Sequence, residues 1–98
     1  MKKRTWKVAD KAKGDLLEIA AYTTKSWGKA QKNAYLKSIK MVFDRVTEHP
    51  EAGQKRGELG KGVCSILARE HVVFYQFDSD HVYIARVLHV RRDPSRNF

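Results

Sequence analysis

Hydrophobic positions in this chain change their period part-way along it. Over Thr5 to Ala9 (TWKVA), Trp6 and Val8 alternate with Thr5 and Lys7, which predicts a short strand, and Asp10 is placed to cap a helix after it. From about Asp10 to Ser26 the period lengthens. Ala12, Leu16, Ile19, Ala20, Thr23 and Trp27 recur at three- and four-residue steps, which predicts a helix with one apolar stripe. Lys11, Lys13, Asp15, Glu18 and Lys25 are assigned to its other face. Gly28 breaks the pattern where a helix end favours a left-handed residue. A second stripe of Leu36, Ile39, Phe43 and Val46, extended upstream by Ala30, predicts a helix from about Lys29 to Glu48. His49-Pro50 ends it, because the residue before proline avoids the α region. The two helices make an αα-hairpin, with the small Ala20, Ala21, Ala30 and Ala34 as candidates for close approach.

Glu51 to Lys61 reads as a polar loop with Gly53, Gly57 and Gly60. Three strands follow: Val63 to Arg69, Val72 to Phe77 as an almost unbroken apolar run, and Val82 to Leu88. Asp78-Ser79-Asp80 reads as the turn between the last two, its carboxylates as turn formers. Connections this short force antiparallel pairing between sequence neighbours. Asp93-Pro94 is expected to stop regular structure. The expected class is α+β in the order β-α-α-β-β-β, a helical hairpin laid across one face of an antiparallel sheet. That sheet offers the only apolar face large enough to bury both stripes. The first strand is expected to join it, and the 98 residues (1–98) to form a single domain.

Charge adds a direction to this picture. Twenty Lys and Arg against 11 Asp and Glu give a net +9. Residues 1–50 carry 12 basic and 5 acidic side chains, against 8 and 6 in residues 51–98, so the excess sits mostly on the predicted helices. Such a balance favours an anionic partner. Cys64 is the lone cysteine, which rules out an intrachain disulfide. His49, His71, His81 and His89 show no ligand spacing on one helix; neighbouring strands could bring His71, His81 and His89 together, but neither a metal nor another cofactor is expected. The start, MKKRTWKVADK, lacks the apolar run of a signal peptide, and no stretch approaches the ~20 apolar residues of a membrane span. A cytoplasmic protein is the expectation.

Catalytic signatures are absent. There is no phosphate-cradling glycine loop with Lys-Ser/Thr, no His-Glu-x-x-His helix and no Gly-x-Ser-x-Gly elbow. Metal-free RNA cleavage needs a general base, a general acid and cations around the phosphate. Arg86, His89, Arg91 and Arg92, with Arg69 nearby, contain such groups, but static contacts are the simpler reading. Arg86 shares a strand face with Ile84 and Leu88 in a regular strand, which makes it either an edge arginine or a buried one with a carboxylate partner. Asp93 is placed to bridge to an arginine and pin the tail.

The ordered residues Ala12, Asp15-Leu16, Ile19, Tyr22-Thr23, Trp27-Gly28, Gln31 and Tyr35 resemble the helical hairpin of ParE toxins. His49-Pro50, Gly53 and Glu58-Leu59 resemble the family's following loop. His71-Val72-Val73-Phe74-Tyr75 and Ile84-x-Arg86-Val87-Leu88-His89, followed by Arg92-Asp93, resemble its last two strands. The likeness covers about residues 6 to 98. It departs at Arg92, where the family usually has Met, and in a more basic first segment. The resemblance implies a RelE/ParE-like fold and a toxin of a type II toxin–antitoxin system. It implies a cognate ParD-like antitoxin that forms a hetero-oligomer with the toxin and alone mediates contact with operator DNA. It also implies action on DNA gyrase, which blocks replication and growth. The related RelE branch instead cuts mRNA on the ribosome, and the lack of a tyrosine after His89 counts against that alternative. Under this reading the chain has no catalytic residue. Arg86, His89, Arg91, Arg92 and Asp93 are the candidate target contacts, and Tyr22, Trp27 and Tyr35 the candidate antitoxin contacts.

Overall fold

The computed structural model describes residues 4–98; Met1 to Lys3, the start of the segment read as lacking a signal peptide, lie outside the described residues. Strand β1 (Thr5–Val8) leads into helix α1 (Asp10–Trp27), helix α2 (Lys29–Glu48), strands β2 (Gln54–Lys55), β3 (Cys64–Ala68), β4 (His71–Phe77) and β5 (His81–His89), and a short helix α3 (Pro94–Asn97). The five strands form one sheet in the order β1-β5-β4-β3-β2. All neighbours pair antiparallel except β1, which runs parallel to β5 with Thr5 opposite His81 and Val8 opposite Ile84. The sheet is therefore mixed, not purely antiparallel. The reason is that the whole helical hairpin and three strands separate β1 from its partner, and a long connection does not dictate direction.

Helix α1 begins differently from the expectation. Ala9 occupies the capping position without a side-chain hydrogen bond, and Asp10 is the first helical residue. Its carboxylate still lies where the helix dipole favours negative charge. Ala12, Ile19 and Thr23 are buried as the stripe requires, and Thr23 satisfies its hydroxyl on Ile19 C=O at 2.7 Å. Trp27 is exposed and Asp15 is buried, both opposite to their assignment. One residue links the helices. Gly28, at φ 90°, adopts a conformation that a side chain would strain, and its N–H closes on Thr24 C=O at 2.9 Å. In α2, Ile39, Phe43 and Val46 are buried, whereas Ala30 is exposed, as are Ala21 and Ala34. Those three alanines lie outside the buried seam.

The segment read as a loop contains two 3₁₀ turns (Pro50–Ala52 and Gly57–Leu59) and β2, whose two polar residues pair with β3. Buried Tyr75 anchors this stretch from the sheet. Its hydroxyl donates to Pro50 C=O at 2.7 Å and accepts from Gly53 N–H at 3.0 Å, and burial pushes its ionisation above the ordinary value of 10.0. The continuous apolar run of β4 reflects a sheet covered on both faces. Val73 and Tyr75 join Ile39, Phe43, Val82, Ile84 and Val87 in the core beneath the helices. Phe74 joins Val63 and Leu88 in a second core that Leu59 and the C-terminal Phe98 cover. Asp93-Pro94 starts α3 instead of ending regular structure. The Asp93 carboxylate accepts from Ser95 N–H at 3.0 Å, the usual role of an N-cap.

A bulge in β5 decides where the site residues point. Tyr75 pairs with Ile84 and Phe74 with Arg86, so Ala85 is an extra residue. The alternation slips by one there. Arg86 shares its face with Leu88 and no longer with Ile84.

Candidate binding groove

Beyond Ile84 the outer edge of β5 has no strand beside it, because β1 ends at Val8. Helix α1 covers that edge, and Asp15 supplies what the missing strand would have. One carboxylate oxygen accepts from Val87 N–H at 2.9 Å and from Arg86 Nε at 2.8 Å. The other accepts from Arg86 Nη2 at 2.8 Å. Arg86 Nη1 also donates to Asn97 C=O, tying the tail to the same point. Asp15 is buried and Arg86 largely withdrawn from solvent, with side-chain exposures of 7% and 13%. Asp15 holds the Arg86 guanidinium firmly protonated. Of the two environments foreseen for Arg86, the structure selects the buried one.

Past this clamp, the turn end of the helical hairpin and the ends of β4 and β5 border a groove of about 750 Å³. Ile19, Tyr22, Trp27 and Tyr35 line its helical side, and Val87, Leu88, His89 and Arg92 its strand side. Tyr22 and Trp27 are 69% and 72% exposed and present large apolar surfaces to the groove. The three candidate antitoxin residues and two of the candidate target residues, His89 and Arg92, thus share one concavity. Arg91 and Asp93 are exposed but outside its lining, and Asp93 lies 3.9 Å from Arg96 in an exposed pair.

The floor of the groove carries a hydrogen-bonded cluster. His71 and His89 are cross-strand partners with ring centroids 5.3 Å apart. His89 Nδ1 accepts from Arg91 N–H at 3.1 Å, and because a backbone amide only donates, the neutral ring carries its proton on Nε2. The Tyr35 hydroxyl accepts from Glu70 N–H at 3.0 Å and lies 2.7 Å from His71 Nδ1, the acceptor available to its own hydrogen. With the Tyr35 hydroxyl donating to Nδ1, the neutral His71 ring carries its proton on Nε2. Burial, aided by His89, lowers the His71 basicity, while Glu70 and Asp15 partly oppose the shift. Burial raises the Tyr35 ionisation, so its hydroxyl remains a donor near neutrality. Arg69, held at φ 60° in the β3–β4 turn, places its guanidinium 5.9 Å from the Tyr35 ring centre.

Among the described residues, no group of three or more His, Cys, Asp or Glu side chains is placed to hold a metal ion. No helix among them is long and apolar enough to cross a membrane.

Residues 7–94 match the family model described as ParE toxin of type II toxin–antitoxin system, parDE. The chain belongs to the ParE toxin family. Toxin ParE1 of Caulobacter vibrioides is 33% identical over 86 residues, covering 88% of each chain. Toxin ParE1 of Mycobacterium tuberculosis is 32% identical over 87 residues, covering 88% of this chain and 89% of the relative. A solved structure titled Chromosomal ParDE TA system from P. aeruginosa shares the fold with a TM-score of 0.74 at 17% identity, over 93% of this chain and 98% of that one. Within this ParE fold, sequence reasoning missed Asp15 and His71 as site residues. Asp15 had a signal: it stands three residues after Ala12 and four before Ile19, inside the buried stripe. His71 had a weaker one, its place on a strand that could neighbour His89, but the pairing itself depends on cross-strand register.

Proposed function

We propose that this toxin acts by binding and that its groove is where it is restrained. An amphipathic, acidic segment of a ParD-like antitoxin lies between the hairpin and the strand ends, with its apolar residues on Tyr22, Trp27 and Tyr35. The observation that carries this reading is the single concavity shared by those aromatics with His89 and Arg92. One bound segment would cover the residues through which the toxin meets its target, so neutralisation is occlusion. Net charge of +9 speeds encounter with an acidic segment that orders on binding. The complex is a hetero-oligomer, and operator DNA is contacted through the antitoxin alone.

Freed toxin engages DNA gyrase in the cytoplasm and blocks replication. Family membership and the basic end of β5 support this. His89, Arg91 and Arg92 offer the contacts, while Arg86 and Asp93 hold the tail that displays them. The test is a gyrase supercoiling assay beside a reconstituted translation assay, each with and without antitoxin. Loss of supercoiling with intact translation, reversed by antitoxin, is the expected result.

A second reading, ribosome-dependent mRNA cleavage as in the RelE branch, draws on the imidazole pair flanked by Arg69 and Arg92. Cleavage requires a base to take the attacking hydroxyl's proton. In both imidazoles the lone pair of Nδ1 is already engaged and the proton of the neutral ring is on Nε2. That arrangement favours the binding reading. Transcripts cut in the translation assay, with cutting lost in His89→Ala, would reverse the choice.

A further inference from the structure

The same tautomers leave the groove with two hydrogen-bond donors that no described residue uses. No hydrogen bond among the described residues engages Nε2 of His71 or of His89. The two rings sit edge to face at 83°, their positions fixed by β4–β5 pairing and by the Nδ1 bonds. Two cations share this end of the groove. Arg92 follows His89 in a turn closed by Arg92 N–H on His89 C=O at 2.9 Å, and Arg69 lies over Tyr35. Two oriented N–H donors with two guanidiniums describe a receptor for one compact anion.

The surroundings decide which anion. Ile19, Trp27, Val87 and Leu88 make the adjoining walls apolar, so the anion must come attached to an apolar ligand. Glu18 and Glu70 also line the groove, and Asp15, although paired with Arg86, adds a third carboxylate. A polyanionic nucleic-acid backbone laid along the groove would meet those carboxylates. A single side-chain carboxylate on the apolar face of an amphipathic protein segment would not.

We propose that Nε2–H of His71 and of His89, with Arg69 and Arg92 beside them, receive a single aspartate or glutamate carboxylate of the antitoxin segment. The assignment rests on the groove being the antitoxin site. The paired imidazoles then act as a specificity element, since an amide in place of that carboxylate gives up the charge-assisted bonds to the guanidiniums.

The test uses the wild-type chain labelled with ¹⁵N, with imidazole nitrogens followed by NMR. Free toxin should show both rings as Nε2–H tautomers near pH 7.5. Titration with 3-phenylpropionate, an apolar carboxylate, should shift both Nε2 signals saturably. The corresponding amide should bind roughly tenfold more weakly, as the loss of a charge-assisted contact implies, and dimethyl phosphate should not compete. Equal binding of the amide, tighter binding of dimethyl phosphate, or an Nδ1–H tautomer on either ring overturns the receptor. In the toxin–antitoxin complex the same Nε2 signals should move. If they stay in place while the Trp27 indole signal moves, the groove reading stands and the receptor fails. If neither moves, the groove reading fails and takes the receptor with it.

Discussion

Asp15 grips Arg86 with both carboxylate oxygens, each at 2.8 Å, and so joins the middle of α1 to the end of β5. The pair is nearly dry, and it also fills a backbone position that β1 leaves empty.

Removing one partner of a buried pair strands the other charge. Asp15→Asn is therefore expected to destabilise the fold by about 3–5 kcal/mol. Chemical denaturation of variant and wild type measures it. A loss under about 1 kcal/mol, the level of an exposed pair, would show that solvent reaches Arg86 freely.

Tyr75 supports the irregular segment after α2 with one hydroxyl. Tyr75→Phe leaves Pro50 C=O and Gly53 N–H without their partner and should cost about 1–3 kcal/mol. Gly53→Ala should be damaging for the complementary reason. Its new methyl would collide with the Tyr75 hydroxyl and sit 2.9 Å from Ser65 C=O, with backbone on one side to resist the shift. Both effects are read as shifts in denaturation midpoint at unchanged slope.

Tyr22 and Trp27 bury little within the toxin, so their truncation tests the groove without testing the core. Trp27→Ala and Tyr22→Ala should leave toxin stability within about 0.5 kcal/mol. Each should weaken antitoxin binding by about 2 kcal/mol or more, roughly thirtyfold. Calorimetric titration of antitoxin into each variant decides; unchanged affinity in both would move the antitoxin elsewhere.

His71 makes stability sensitive to acid. Its folded basicity is below the ordinary histidine value of 6.5, so the unfolded chain takes up the proton first. The stability this provides is complete above about pH 6.5 and is lost as pH falls toward the folded value. Tyr35, Glu70, Asp15 and His89 surround the ring, and the two carboxylates moderate the effect. Denaturation between pH 7.5 and 5.5 should show a decline that His71→Phe flattens. An identical slope in the variant would assign the decline to other groups.

Much of the fold was legible because it rests on local periodicity. The bounds of α2 follow from its apolar stripe and from His49-Pro50, and α1 ends one residue beyond the expected Ser26. The three long strands follow from their apolar runs, with errors of a residue at their ends. The two-residue β2 carries no period and stayed hidden. The aromatics Tyr22, Trp27 and Tyr35 and the basic strand end were visible as residues, but their meeting in one groove was not.

By itself the sequence determined the amphipathic hairpin, the three-stranded core, the basic surface and the family, since these depend on residue type and spacing along the chain. Tertiary structure alone decided the parallel pairing of β1, the burial of Asp15 against Arg86, and the tautomers of His71 and His89. The β1–β5 partners lie 76 residues apart, Asp15 and Arg86 71, and Tyr35 and His71 36, whereas His89 takes its tautomer from Arg91, two residues away. A single extra residue at Ala85 reverses which face Arg86 presents, and strand alternation in the sequence carries no mark of it.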